Sequence, residues 1–212
     1  MDIKVIIVTV VALLVCIVGT QWYRNKTIKQ ALQYMQAQDM EMFTKTIDSF
    51  GCKILIPPFN REYMRLNAYF LTGDIEKINE QFDMILNMHI NKKQRLDVSV
   101  KAFYFYVDEN NSVKAKAVLD KMKDVSDETL YEECKLIFDI VLLKKTNYID
   151  VMEEHVEASE ENFDCGMFHY LLGLQYSYLK DNKKAIAHLR SAKKDMKGTP
   201  YEVKINALLK KL

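Results

Sequence analysis

Four histidines and four cysteines are the residues of this 212-residue chain best suited to metal binding or nucleophilic chemistry: His89, His155, His169 and His188, with Cys16, Cys52, Cys134 and Cys165. A structural metal site draws donors from close pairs, so that one short loop presents two ligands to one ion. No such spacing occurs among these histidines, and no two cysteines form a CxxC pair. A glycine-rich phosphate loop and a GxSxG nucleophile elbow are both missing from the sequence. A cysteine nucleophile needs an adjacent base, and none is readable beside Cys134 or Cys165. The expectation is a protein that is not an enzyme, with no catalytic residue, no metal and no cofactor. His155 is expected at a core position and His169 in place of a packing aromatic. A divergent enzyme relying on a single His or Cys is the weaker rival.

Composition narrows the class further. Lys and Arg number 30 against 29 Asp and Glu, a formal net charge of +1. General nucleic-acid binders carry a large basic excess, so no nucleic-acid partner is expected. Only 6 Gly and 3 Pro interrupt the chain, which favours helices throughout. The cysteines other than Cys16 read as buried thiols, a weak sign of a reducing compartment. Charge is segregated: Asp127 to Asp164 holds twelve acids and three bases, whereas Cys165 to Leu212 holds ten bases and three acids. Two solvated helix faces explain this, and a basic end meeting an acidic partner or anionic lipid is the functional alternative.

The N-terminal segment "VIIVTVVALLVCIVGTQWY", residues 5 to 23, is uncharged throughout and closes on Trp22 and Tyr23, as interfacial aromatics do. As a helix it spans about 28 Å, close to the roughly 30 Å hydrocarbon core. "IVGTQWY" is a poor cleavage site, and "LLVC" has a bulky Val15 where a lipoprotein signal wants a small residue. The expected domains are a transmembrane anchor at 1–23 and a globular part at 24–212. Arg24, Lys26 and Lys29 follow the anchor, and the amino terminus, Asp2 and Lys4 stand before it. The positive-inside rule then predicts a single-pass protein with its globular part in the cytoplasm.

The elements that follow repeat. Tyr34, Tyr69, Tyr106, Leu142 and Tyr176 each precede a short polar turn and a second apolar-periodic stretch, at separations of 35, 37, 36 and 34 residues. A period near 35 signals an α-solenoid of helix hairpins. The expected repeats are 27–56, 61–91, 97–125, 131–160 and 166–198. The second helices place Phe43, Ile47 and Phe50 in the core of the first repeat, and Val151, His155 and Ala158 in that of the fourth. Residues 199–212, "TPYEVKINALLKKL", are expected to cap the array, with Thr199 as N-cap and Val203, Ile205, Leu208 and Leu209 covering the last repeat. Twelve tyrosines and eleven methionines read as solenoid packing rather than base stacking or a cofactor box.

The last hairpin carries a resemblance. Leu172, Gly173, Tyr176, Asp181, Ala185, Leu189 and Ala192 fall where the tetratricopeptide repeat family has its signature, although His169 replaces the family's Trp and Pro200 comes three positions late. The other four repeats are divergent, with Ala31, Leu66, Phe103 and Asp139 at the glycine position. The resemblance implies an all-α fold: an α-solenoid of about five TPR-like hairpins with a C-terminal cap, preceded by one transmembrane helix. It implies close helix approach at Gly173, Ala185 and Ala192, and a concave groove that binds a protein or peptide partner. The family's groove positions map to Tyr63, Met64, Asn67 and Phe70, to Val100, Lys101, Tyr104 and Asp108, to Leu136, Ile137, Ile140 and Lys144, and to Tyr170, Leu174 and Tyr178. The paired Lys, Asn and Arg of a carboxylate clamp are missing. Pentatricopeptide repeats share the period but bind RNA, which the near-neutral charge disfavours. The expected function is a membrane-anchored interaction scaffold. An exported structural subunit of a cell-envelope or secretion assembly is the alternative.

Overall fold

A computed structural model describes residues 3–158 and 163–212. The described residues are all-helical, with twelve α-helices, one π-helical turn and no strand. Glu160 and Glu161 of the acidic stretch, and the last two residues of the fourth expected repeat, lie outside the described residues, as does the side chain of Ala158. The chain divides into two compact units, Met1–Gln94 and Arg95–Leu212.

The first unit begins with α1, Ile3–Gln36. Its length, about 50 Å at helical rise, exceeds a hydrocarbon core. The helix is long and apolar enough to cross a membrane, and its apolar window is not buried against any described part of the chain. Beyond that window Thr27 and Ala31 face the protein. There α2 (Met40–Ile47) packs back along α1, burying Phe43 and Ile47 with Ala31, Cys52, Ile56 and Ala68. Ser49 then caps a short α3 (Phe50–Leu55), and α4 (Pro58–Thr72) and α5 (Ile75–Leu86) form the next pair.

The second unit holds α6 (Lys92–Asp108, from Arg95 on), α7 (Ser112–Met122), α8 (Glu128–Ile137), the π turn Phe138–Leu142, α9 (Ile149–Ala158), α10 (Phe163–Tyr178), α11 (Asn182–Asp195) and α12 (Pro200–Leu209). Its core runs from Ile140 and Met152 through Leu171, Leu172 and Tyr176 to Ala185, Leu189, Ala192 and Ile205.

Four of the inter-helix turns share one local design. Gln38, Gly73, Asn110 and Lys180 adopt left-handed backbone, with φ between 53° and 68°. The amide of the following residue donates to the carbonyl of Tyr34, Tyr69, Tyr106 or Tyr176, five positions earlier. This closes the preceding helix in a Schellman motif. The same following residue (Asp39, Asp74, Asn111 or Asp181) caps the next helix by accepting from the amide three positions on. In three of the four that third residue is a lysine whose ammonium lies over the tyrosine ring: Lys77 over Tyr69, Lys114 over Tyr106 and Lys184 over Tyr176, at 5.8, 5.3 and 4.7 Å. Met42 holds this place in the first turn.

The fourth turn differs. A π-helical turn inserts at Phe138–Leu142, the left-handed residue is Lys144, and the amide of Lys145 donates to the carbonyl of Asp139. The buried Asp139 carboxylate accepts from the Tyr148 hydroxyl and pairs with Lys145 at 3.0 Å. The longer connection moves α9 out of the expected register. Val151 is 56% exposed and His155 is exposed, whereas Met152 is buried and Val156 is partly buried. The core expectation for Val151 and His155 is thereby corrected by one residue.

Two further expectations are corrected. Phe50 is 81% exposed, because α2 stops at Ile47 and Ser49 starts a new helix that turns Phe50 outward. Val203 is 73% exposed, because α12 presents Tyr201, Ile205 and Leu208 to the core instead. Thr199 is the N-cap residue of α12 as expected, but without a side-chain cap: its hydroxyl donates to the Met196 carbonyl, and the Glu202 carboxylate accepts from the Gly198 amide.

Candidate functional site

Four helices of the second unit leave a recess between them. Tyr104 from α6, Glu133, Leu136 and Ile137 from α8, and Met167, Phe168 and Leu171 from α10 line an open cavity of about 350 Å³. This lies at the lower end of the range for small-ligand and peptide pockets. Tyr104, Ile137, Met167 and Leu171 also line a second, smaller cavity of about 30 Å³, closed by Val107, Asp108, Val141, Tyr170, Tyr201 and Lys204. The two therefore form one groove, which runs from Glu133 past apolar walls to the end of α12.

Local folding sets each wall. Tyr104 and Asp108 are four residues apart and so share a face of α6. Asp127 caps α8, accepting from the Leu130 amide at 2.8 Å, and this fixes the register that turns Cys134 inward while Glu133, Leu136 and Ile137 border the recess. On α10, Met167 and Leu171 share a face by the same spacing. Tyr170 meets Tyr201 edge-on at 5.5 Å, and the Lys204 ammonium sits 5.0 Å over the Tyr201 ring while pairing with Asp108.

The electrostatics are those of a dry wall with a polar rim. Burial raises the Tyr104, Tyr170 and Tyr201 hydroxyls above the ordinary phenol value, so all three stay neutral donors. Burial also pushes the Cys134 thiol behind the wall up to about 12, which makes it unreactive near neutrality. Lys101, half-buried one turn before Tyr104, is lowered by burial.

The residues expected to line a groove divide into three sets. Tyr104, Asp108 and Tyr170 meet in the recess, with Leu136 and Ile137. Leu174 is buried and Tyr178 is half-buried, and both pack into the core one and two turns along α10. Ile140 is likewise core, and Lys144 is the left-handed turn residue. Tyr63, Asn67 and Phe70 stand half-buried on α4 in the first unit, where Tyr63 stacks on Phe59 and Phe70 meets Phe82 edge-on. Glu133, Met167, Phe168, Leu171, Tyr201 and Lys204 were not expected. A signal for the last two is present in the sequence: Tyr201 and Lys204 lie three apart on the capping helix, whose expected role is only to cover the last repeat.

His169 and His188 approach with their Nδ1 atoms 2.9 Å apart, and Tyr176 stacks on His188 at 5.5 Å. Among the described residues no three His, Cys, Asp or Glu side chains are grouped to hold a metal ion. Cys52, Cys134 and Cys165 are buried.

No family model matches the chain, and no curated protein or solved structure matches it.

Proposed function

We propose that this protein is a membrane-anchored interaction scaffold, not an enzyme, whose helix hairpins form a divergent α-solenoid of the tetratricopeptide kind. Its second unit receives an apolar segment of a protein partner in the groove between α6, α8, α10 and α12. The recess carries this reading, since Tyr104, Ile137, Met167 and Phe168 present partly exposed apolar and aromatic side chains over the buried Leu171, with Glu133, Asp108 and Lys204 among the lining residues. Rigid helices set the walls in advance, which lowers the ordering cost of binding on this side. Recurrence of the Schellman turn and Asx cap at Gln38, Gly73, Asn110 and Lys180 supports the repeat reading.

A photo-crosslinking aromatic amino acid placed at Tyr104 tests the function in cells that express the full chain. A discrete protein adduct is expected. It should disappear when Met167→Glu puts a charge into the groove. Absence of an adduct at position 104, with strong crosslinking from the exposed Val151 or Val203, would move the partner to the outer faces and defeat the groove reading.

A further inference from the structure

α3 is six residues long, yet it segregates its side chains sharply. Cys52 is buried, whereas Phe50, Lys53 and Ile54 are exposed, at spacings of three and four that put them on one side. Phe50 is the most exposed large apolar side chain among the described residues, and Ile54 is 64% exposed. Isolated exposed apolar residues are ordinary, so the position of this pair along α1 is what matters.

That position follows from the path of the chain. α1 runs from its apolar window to Gln36, and α2 returns beside it in the opposite direction. Thr46 and Ser49 line the same surface hollow as Tyr23, Lys26, Thr27 and Gln30. Gly51 lies against the Tyr23 ring so closely that a Cβ there would fall 2.6 Å from the hydroxyl oxygen and 2.7 Å from Cε1. This contact places α3 at the level of Tyr23. Tyr23 lies four residues past Gly19, about 6 Å of helical rise, at the depth of the lipid headgroups if the apolar window spans the bilayer. Trp22, beside it, is 63% exposed with the Lys26 ammonium 5.1 Å over its ring. An aromatic flanked by a lysine suits the membrane–water boundary.

We infer that α3 is a lipid-docking element: Phe50 and Ile54 enter the boundary between headgroups and acyl chains, and Lys53 between them reaches anionic headgroups. The inference rests on reading α1 as a membrane anchor. The site would hold the first hairpin against the bilayer and limit its swivel about α1. Apolar residues that enter the lipid beside a snorkelling lysine are the chemistry of interfacial helices. The site also explains why the repeat pattern fails at Phe50. Ile85, Met122 and Ala192, at the corresponding places of other hairpins, are buried in protein, and lipid covers Phe50 instead.

The test uses the full chain, reconstituted in vesicles of phosphatidylcholine and phosphatidylglycerol with or without lipids brominated on the upper acyl chain. Trp22 is the only native tryptophan. Two variants move it, Trp22→Phe/Phe50→Trp and Trp22→Phe/Ala37→Trp, the latter at an exposed site about 20 Å of helical rise beyond Tyr23. Both new positions are exposed, so the fold should be retained, checked by an unchanged unfolding temperature in detergent. The tryptophan at position 50 should emit to the blue and lose most of its emission to brominated lipid, as Trp22 does, while that at position 37 keeps its emission. If the tryptophan at 50 behaves like the one at 37 while Trp22 is quenched, the docking site is overturned and the anchor stands. If Trp22 itself escapes quenching, the anchor reading falls and the docking site falls with it.

Discussion

His169 on α10 and His188 on α11 share a single hydrogen between Nδ1 atoms 2.9 Å apart, so one ring donates and the other must be neutral to accept. Asp195 faces His169, while Glu153, Lys184 and the Tyr176 ring surround His188. Burial lowers both imidazoles below their ordinary 6.5, and His169 lowers His188 further. As pH falls, the unfolded chain takes up protons on these rings before the folded chain does, so acid withdraws stability from the native state. The unfolding temperature should therefore drop between about pH 7 and pH 5, around the ordinary histidine value. The double variant His169→Phe/His188→Gln should lose part of that slope. Carboxylates contribute to any acid profile, so the informative quantity is the difference between the two proteins. Superimposable profiles would show that the pair tolerates both protons and that the argument from the shared hydrogen is wrong.

Helix packing is close where α10 crosses α11 at Gly173. A Cβ built on Gly173 would stand 2.7 Å from Cγ and 2.8 Å from Cδ2 of the buried Leu189, and 3.4 Å from the Ala185 carbonyl oxygen. Gly173→Ala gains roughly 1 kcal/mol of helix propensity, but overpacking a filled core costs about 1 to 3 kcal/mol. A net loss of about 1 kcal/mol is expected in chemical denaturation. In a Leu189→Ala background the obstacle is gone, so the same glycine replacement should stabilise. If it destabilises equally in both backgrounds, Leu189 is not what makes the glycine necessary. This hairpin was legible in the sequence because small residues at 173, 185 and 192 match both the helical period and the close approach it permits. The fourth hairpin was not. A π-helical turn is held by groups that converge only in three dimensions, with Tyr148 and Lys145 on a buried Asp139, and an added residue in the connection moves α9 by one position. Phe50 departs from the periodic expectation for a similar reason. Periodicity continued α2 through it, whereas the Ser49 side chain accepts from the Cys52 amide and starts another helix. In the groove, Tyr104, Asp108 and Tyr170 were reachable only through the groove positions that the tetratricopeptide resemblance implies. Met167 and Phe168 were not, since apolar residues beside a core look alike until the depth of each helix is known.

With α1 proposed as a membrane anchor, one question concerns the whole molecule: which side of the membrane the hairpins would occupy. Arg24, Lys26 and Lys29 follow the apolar window of α1, against Lys4 before it, and this asymmetry favours retention of the following chain in the cytoplasm. Asn182 offers a place to test it. It is exposed and is the first residue of α11, directly after the Asp181 cap, so Asn182→Cys should leave the fold intact. The native thiols compete little with such a probe. Cys52, Cys134 and Cys165 are buried, burial raises the Cys52 and Cys134 thiols above their ordinary range, and Cys16 lies within the apolar window. A membrane-impermeant maleimide added to intact cells should leave the Asn182→Cys protein unlabelled, and should label it once the cells are lysed. The unmodified chain, treated alongside, reports the background from its own cysteines. Labelling before lysis would reverse the orientation. Partners would then be sought among exported proteins, and a subunit of an envelope assembly would account for the chain better than a cytoplasmic scaffold.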